Sequence, residues 1–142
     1  MRALLDVNVL VALLDMHHAA HRAAVQWMSQ HGALGWAACP ITQNGCVRIL
    51  SGATYRSAFT VNAVVDRLRT AAGMPQHEFW PDDVSLLDSG RIDESRVHGA
   101  SQLTDLYLLA LAVSRGGRLV TFDQRITSTA VLGARPEHLV VI

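Results

Sequence analysis

The sequence predicts an α/β fold: a central, mainly parallel sheet covered on both faces by helices. Three observations carry that prediction. Short apolar runs alternate with longer segments of helical periodicity, the pattern of strand–helix–strand units. The runs are apolar throughout instead of alternating with polar residues, as strands buried on both faces must be. Two of them, "ALLD" and "LVTFD", end in an acid, which suits a chain leaving a buried sheet at a polar edge.

The elements follow in order. Arg2 to Leu5 reads as a short buried strand, and Asn8 to Leu14 as a helix. A second helix is expected through "HAAHRAAVQWM", where Ala, Val, Trp and Met recur at helical spacing. "LGWAAC" is the next strand. Pro40 then suits the first turn of a helix over "ITQNGCVRIL", closed by Ser51 and Gly52. "ATYRSAF" reads as a loop, and "TVNAVVDRLRTAAG" as an amphipathic helix ended by Gly73 and kept from continuing by Pro75. "HEFW" is a strand broken by Pro81, and "RIDESRVHGA" a short helix and a turn. "TDLYLLALAVSRGG" is a helix apolar almost all round, stopped by two glycines. "RLVTFD" and the terminal "HLVVI" complete the strands. No repeats or long linkers interrupt this order, so one domain spanning residues 1–142 is expected.

Composition excludes several classes of function. Half of the residues are hydrophobic and 17% are charged, ordinary for a folded soluble domain. The longest apolar stretches, Val7 to Leu14 and Leu106 to Val113, are far shorter than the ~20 residues of a membrane helix. Asp6 inside the first apolar stretch, with no small-residue cleavage site after it, argues against a signal peptide. Cys39 and Cys46 do not form CxxC and read as free thiols of a reducing compartment, the cytoplasm. The formal net charge is zero, so no global field draws the chain to nucleic acid or an anionic membrane. All 12 cations are arginine. The absence of lysine removes Schiff-base and P-loop chemistry and the lysine of a receiver domain. Arginine's planar fork suits phosphate, although a GC-rich coding bias accounts for the composition as well.

The acids carry the chemistry. In a parallel sheet Asp6 and Asp123 emerge together at the carboxyl edge, where open α/β sheets place their sites. Asp105, near the start of the buried helix, is favoured there by the helix dipole. The helix after "LGWAAC" begins near the same edge and carries Gln43 and Asn44. Crowded carboxylates repel one another, and a divalent cation resolves the repulsion. Each acid also has a plainer reading: Asp6 as a helix cap, Asp105 as an N-terminal helix acid, Asp123 as the start of a turn.

The order "LLDVNVLVALLD", "HAAHRAAVQW", "CPITQNGCVRILS", "FWPDDVSLLD", "TDLYLLALA" and "RLVTFD" resembles a PIN domain and, more narrowly, the VapC-type ribonuclease toxins of bacterial toxin–antitoxin pairs. The similarity runs over essentially the whole chain. It implies a three-layer α/β/α sandwich that cleaves RNA with Mg²⁺ or Mn²⁺, leaving a 5′-phosphate and a 3′-hydroxyl. It places the catalytic acids at Asp6, Asp105 and Asp123, with Asp6 and Asp105 as metal ligands and Asn8 and Thr121 in support. It also implies a cognate antitoxin that enters the active-site groove, and a homodimer. One match fails. The family pattern T-E-x-G-F-x-R reads "TQNGCVR" here, so Gln43 stands where an acid is usual and offers a carbonyl ligand without charge. An active but metal-hungry nuclease is the first expectation; a catalytically weakened PIN-like protein that binds RNA or a partner is the alternative.

Lesser candidates complete the reading. Arg48, matching the arginine of that pattern, binds RNA phosphate or pairs with a core acid. His98 is a candidate phosphate contact if the approach to Asp105 is unbroken, and Gly99 and Ser101 suggest a break. His17 and His21 have a zinc-compatible spacing but lack HExxH and a third ligand, so they read as a solvated helix start. Trp27, Trp36 and Trp80 read as core, and Asp82 and Asp83 as solvated or capping acids.

Overall fold

The computed structural model describes residues 1–142. Five parallel strands form one sheet: β1 (Ala3–Leu5), β2 (Trp36–Ala38), β3 (His77–Phe79), β4 (Arg118–Thr121) and β5 (Leu139–Val141), in the order β3-β2-β1-β4-β5. The helices are α1 (Val7–Leu14), α2 (His21–His31), α3 (Pro40–Leu50), α4 (Val61–Ala72) and α5 (Leu103–Ser114).

Alternation along the strands divides the core. Ala3 and Leu5 of β1, Trp36 and Ala38 of β2 and Val120 of β4 face a layer built from α1, α2, α3 and α4. Leu4, Ala37 and Leu119 face the opposite layer, made by α5 with Trp80, Ile92, Ala130 and Val131. The result is the expected three-layer α/β/α sandwich. Leu106, Leu108, Leu109 and Leu111 of α5 are fully buried, which explains why its sequence shows no polar face.

The strand order matters for function. The chain steps outward from β1 through β2 to β3, then returns to place β4 on the other side of β1. The crevice between the carboxyl ends of β1 and β4 is therefore the topological switch point, where helices leave for opposite faces and a ligand finds room. Gly45 fixes the nearby packing of α3 on α1, because a Cβ there would meet Val7 Cγ2 at 2.7 Å. Only glycine lets the two helices approach so closely beside Asp6.

Several boundaries differ from the sequence expectation, each for a local reason. α2 starts at His21, because His18 instead forms a turn in which its Nδ1 accepts from the Ala20 amide at 3.1 Å. Gly35 at φ 91° ends a 3₁₀ turn (Gly32–Leu34) just before β2. Trp80 lies beyond β3 but is buried, its amide donating to Ala38 O at 3.0 Å. β4 ends at Thr121, leaving Phe122 and Asp123 past the strand. His138 lies in a 3₁₀ turn and accepts the Arg135 amide, so β5 begins one residue later. The segment between β3 and α5 carries two 3₁₀ turns, Glu94–Arg96 and Ala100–Gln102, with the break at Gly99 that its composition suggested.

Candidate active site

β1 delivers Asp6 directly to the switch point. As N-cap of α1 its Oδ1 accepts the Val7 amide at 2.6 Å, so the plainer capping reading is true of this acid as well. Its other oxygen, Oδ2, accepts the Thr121 hydroxyl at 2.7 Å across the β1–β4 pair. Asp6 is only 5% exposed and has no cation partner. Burial raises its pKa, the Thr121 and Val7 hydrogen bonds pull it down, and the charge of Asp123 raises it again.

Thr121 is the rail between two acids. While its hydroxyl donates to Asp6, its oxygen accepts the Asp123 amide at 3.0 Å. This fixes the bend after β4 and turns Asp123 toward the same crevice. Asp105 enters from the first turn of α5, whose N-terminus lies at this edge because α5 runs back to feed β4. Burial, then the charges of Asp6 and Asp123, push its pKa up to about 6, while Arg125 opposes them. Those mutual repulsions place the three predicted acids in one electrostatic cluster. Asp105, Asp123, Ser101, Gln102, Arg125 and Ile126 line a cleft of about 160 Å³.

Arg125 was missed by sequence reasoning. It clamps Asp123 with a two-pronged fork, Nε to Oδ1 at 3.0 Å and an NH2 nitrogen to Oδ2 at 2.9 Å, and its amide donates to Oδ1 at 2.8 Å. These contacts hold Asp123 below the usual carboxylate range. The signal was a cation two residues past the acid in "FDQR", a spacing that means nothing until the bend is known.

The remaining candidates separate by position. Gln43 lies in the first turn of α3, half-buried beside Asn44, and faces a groove with Leu68, Arg69 and Ala72 of α4. Asn8 is exposed in the first turn of α1. Arg48 is exposed in the last turn of α3, at the end remote from the carboxyl edge, against Gly52 and Tyr55. It pairs with no core acid, so of its two expected roles the ion pair is not formed. His98 is exposed in the loop before α5; its amide donates to Gln102 Oε1 at 3.2 Å, and Gln102 Nε2 donates to Arg125 O at 3.4 Å. Asp82 does cap, accepting the Ile41 amide at the start of α3, and Asp83 pairs with Arg115. Cys39 and Cys46 are free and buried, their thiols pushed up to about 11 and about 12, so neither supplies a thiolate.

The donor set at the crevice is all hard oxygen, which suits a hard divalent cation. No three His, Cys, Asp or Glu side chains close into a ready metal-binding group. Asp123 has both oxygens on Arg125, so a cation there competes with that fork. The residues fit a divalent cation in the kind of donor they offer, with Asp105 and Asp123 lining one cleft.

A parallel sheet with three acids from three distant stretches gathered at its switch point defines an acidic-centre α/β domain. The chain belongs to the PIN-domain family, whose model matches residues 3–132. Within it the chain is a VapC-type ribonuclease toxin. It is 53% identical to Ribonuclease VapC44 of Mycobacterium tuberculosis over 142 residues, all of both chains. It is 42% identical to Ribonuclease VapC39 of the same species over 134 residues, 94% of this chain and 96% of that one. Among solved structures, the fold is similar to that of Mycobacterium tuberculosis VapC20, described as a sarcin–ricin loop cleaving toxin, with a TM-score of 0.58 at 17% identity over 94% of this chain and 99% of that chain. It is also similar to VapBC2 from Rickettsia felis bound to a promoter DNA fragment, with a TM-score of 0.56 at 13% identity over 87% and 89% of the two chains.

Proposed function

We propose that this toxin hydrolyses RNA phosphodiester bonds at the β1–β4 crevice, with Asp6, Asp105 and Asp123 as its catalytic acids and a divalent cation, Mg²⁺ or Mn²⁺, as cofactor. The observation that carries the reading is the convergence of these acids at the switch point, where Thr121 links Asp6 to Asp123 and Asp105 lines the same cleft as Asp123, a crowding that a cation would relieve. Asp6 and Asp105 would hold it directly, and Asp123 would join them on leaving Arg125. When bound, the cation supplies positive charge against the phosphate oxygens and acidifies the attacking water. Thr121 keeps one Asp6 oxygen oriented and aims Asp123 inward. Burial of Asp6 lowers the local dielectric, which strengthens every charge interaction at the phosphate.

The VapBC neighbour supports an antitoxin partner. We infer a cognate antitoxin and a homodimer, acting in the cytoplasm; no helix is long and apolar enough to cross a membrane. An apolar groove of about 470 Å³ between α1, α2 and α4, lined by Leu10, Leu13, Met28, Trp36, Leu68 and Met74, offers an amphipathic antitoxin helix a seat. The deciding test is cleavage of RNA with Mg²⁺ or Mn²⁺ by the native chain and by Asp6→Asn. Native cleavage that stops with chelator and is lost in Asp6→Asn supports the reading. RNA binding without cation-dependent cleavage favours the non-cutting alternative that Gln43 raises.

A further inference from the structure

The one cation in the catalytic cleft is bound to one of the acids the cleft needs. Arg125 forks onto Asp123, yet its side chain remains 88% exposed, so only that ion pair and no packing holds the guanidinium there. Its backbone, by contrast, is fixed. The Arg125 amide donates to Asp123, and its carbonyl accepts from Gln102 at the foot of α5. The residue is thus a tethered side chain with a single, replaceable partner. The other candidate cations lie elsewhere, Arg48 at the remote end of α3 and His98 outside the cleft lining.

A divalent cation drawn to Asp6, Asp105 and Asp123 competes with the guanidinium for Asp123 and repels it. The fork that leaves a carboxylate has the geometry for phosphate, with parallel N–H donors matching two oxygens. We propose that Arg125 is an exchangeable positioning residue: it guards Asp123 in the free protein and, once Asp123 turns to the cation, grips an RNA phosphate at the cleft mouth. This rests on the cation-dependent nuclease reading. It predicts that cation and RNA binding are coupled through one side chain, with opposite signs for its removal. Losing Arg125 helps the cation and harms the RNA.

The test uses the native chain, Arg125→Ala and Arg125→Lys, each checked for folding by circular dichroism. Mn²⁺ affinity is read by calorimetry without RNA. Affinity for a labelled RNA oligonucleotide of mixed sequence is read by anisotropy in chelator and in Ca²⁺, across a salt series. Arg125→Ala is expected to bind Mn²⁺ roughly 3- to 10-fold more tightly than the native chain, as removal of a competing ion pair requires. In Ca²⁺ it is expected to bind RNA about 10-fold more weakly, with the salt slope smaller by about 0.7, one single-strand phosphate contact. In chelator the two proteins should bind RNA alike, because the native arginine is then occupied by Asp123. Arg125→Lys, a point charge without the fork, should fall between them in Ca²⁺. Weaker Mn²⁺ binding by Arg125→Ala would make Arg125 a structural brace of Asp123 and overturn the proposal. So would equal RNA affinity and slope in Ca²⁺. If the native chain itself binds no Mn²⁺, the cation reading beneath it is what fails.

Discussion

At the scale of single residues the site is a balance of repulsions held by few donors. Asp105 shows the cost most plainly. Its pKa of about 6 means that the folded chain binds a proton there that the unfolded chain, near 3.8, has already lost. The sign follows: without metal, Asp105 lowers stability as pH rises from about 4 to about 6, and the loss is complete above that. Asp105→Asn should therefore stabilise the metal-free protein at pH 7.5 by about 1 kcal/mol, after discounting a partly exposed group for solvent screening. It should flatten that pH dependence in urea unfolding and abolish cleavage. A native chain no less stable than Asp105→Asn at pH 7.5 would show that the acids do not repel as described. Position 43 is the complementary case. Gln43→Glu adds a carboxylate near the carboxyl edge and should tighten Mn²⁺ binding roughly 3- to 10-fold in calorimetry. Unchanged affinity would remove residue 43 from the site and leave it a lining residue of the α3–α4 groove. What was legible at this scale was the identity of the acids, because an apolar run ending in Asp is a local pattern. The Arg125 fork was not legible, since an i, i+2 contact depends on a bend that Thr121 sets from the neighbouring strand pair.

At the scale of elements, α1 is the part that must not move, because its N-cap is Asp6. Two contacts hold it. At its far end the C-cap Asp15 accepts the Tyr55 hydroxyl at 2.6 Å and the His17 amide at 3.0 Å. The Tyr55 bond, more than any other contact, draws the Asp15 pKa below its usual range, and burial with Asp15 pushes the phenol up to about 12. A depressed carboxylate stabilises above its unfolded pKa and loses that contribution as pH falls through its folded one. Tyr55→Phe should thus cost about 1–2 kcal/mol between pH 5 and 8, with the difference from native shrinking below about pH 4 in urea titrations. The second contact is Gly45 against Val7. Gly45→Ala places a methyl 2.7 Å from Val7 Cγ2, on a β-branched side chain with little freedom to swing. A cost of about 1–3 kcal/mol is expected, together with a fall in kcat from the displaced Asp6. Equal stability and activity would mean that α3 has slack at that point. Most element types were readable from periodicity, and the misplaced boundaries share a cause. The start of α2, the start of β2 and the start of β5 are set by side-chain or glycine turns, in which His18, Gly35 and His138 compete with the regular ladder.

At the scale of the whole molecule, the sheet order turns a local acid pattern into a site. Asp6, Asp105 and Asp123 are distant in sequence, and only the return of β4 to the flank of β1 brings them together. The sequence made the carboxyl edge legible but not this neighbourhood, because strand order depends on which faces the helices cover. A thermodynamic consequence follows. A cation held by all three acids has its site only in the folded chain, so it must stabilise that chain in proportion to its occupancy. At 100 times its dissociation constant the gain is about 2.7 kcal/mol. For a chain of this length that corresponds to a rise of roughly 8–10 °C in unfolding temperature. Mn²⁺ titrated against thermal unfolding should give such a curve for the native protein, and a flat one for Asp6→Asn and for Asp123→Asn. The comparison between those two variants is the sharper reading. Asp6 is buried and Asp123 is ion-paired, so a cation held by Asp6 and Asp105 alone would leave the Asp123→Asn curve near native. In that case Asp123 would serve RNA through Arg125 and not the cation, and the crevice would divide its labour between the two strands that flank it.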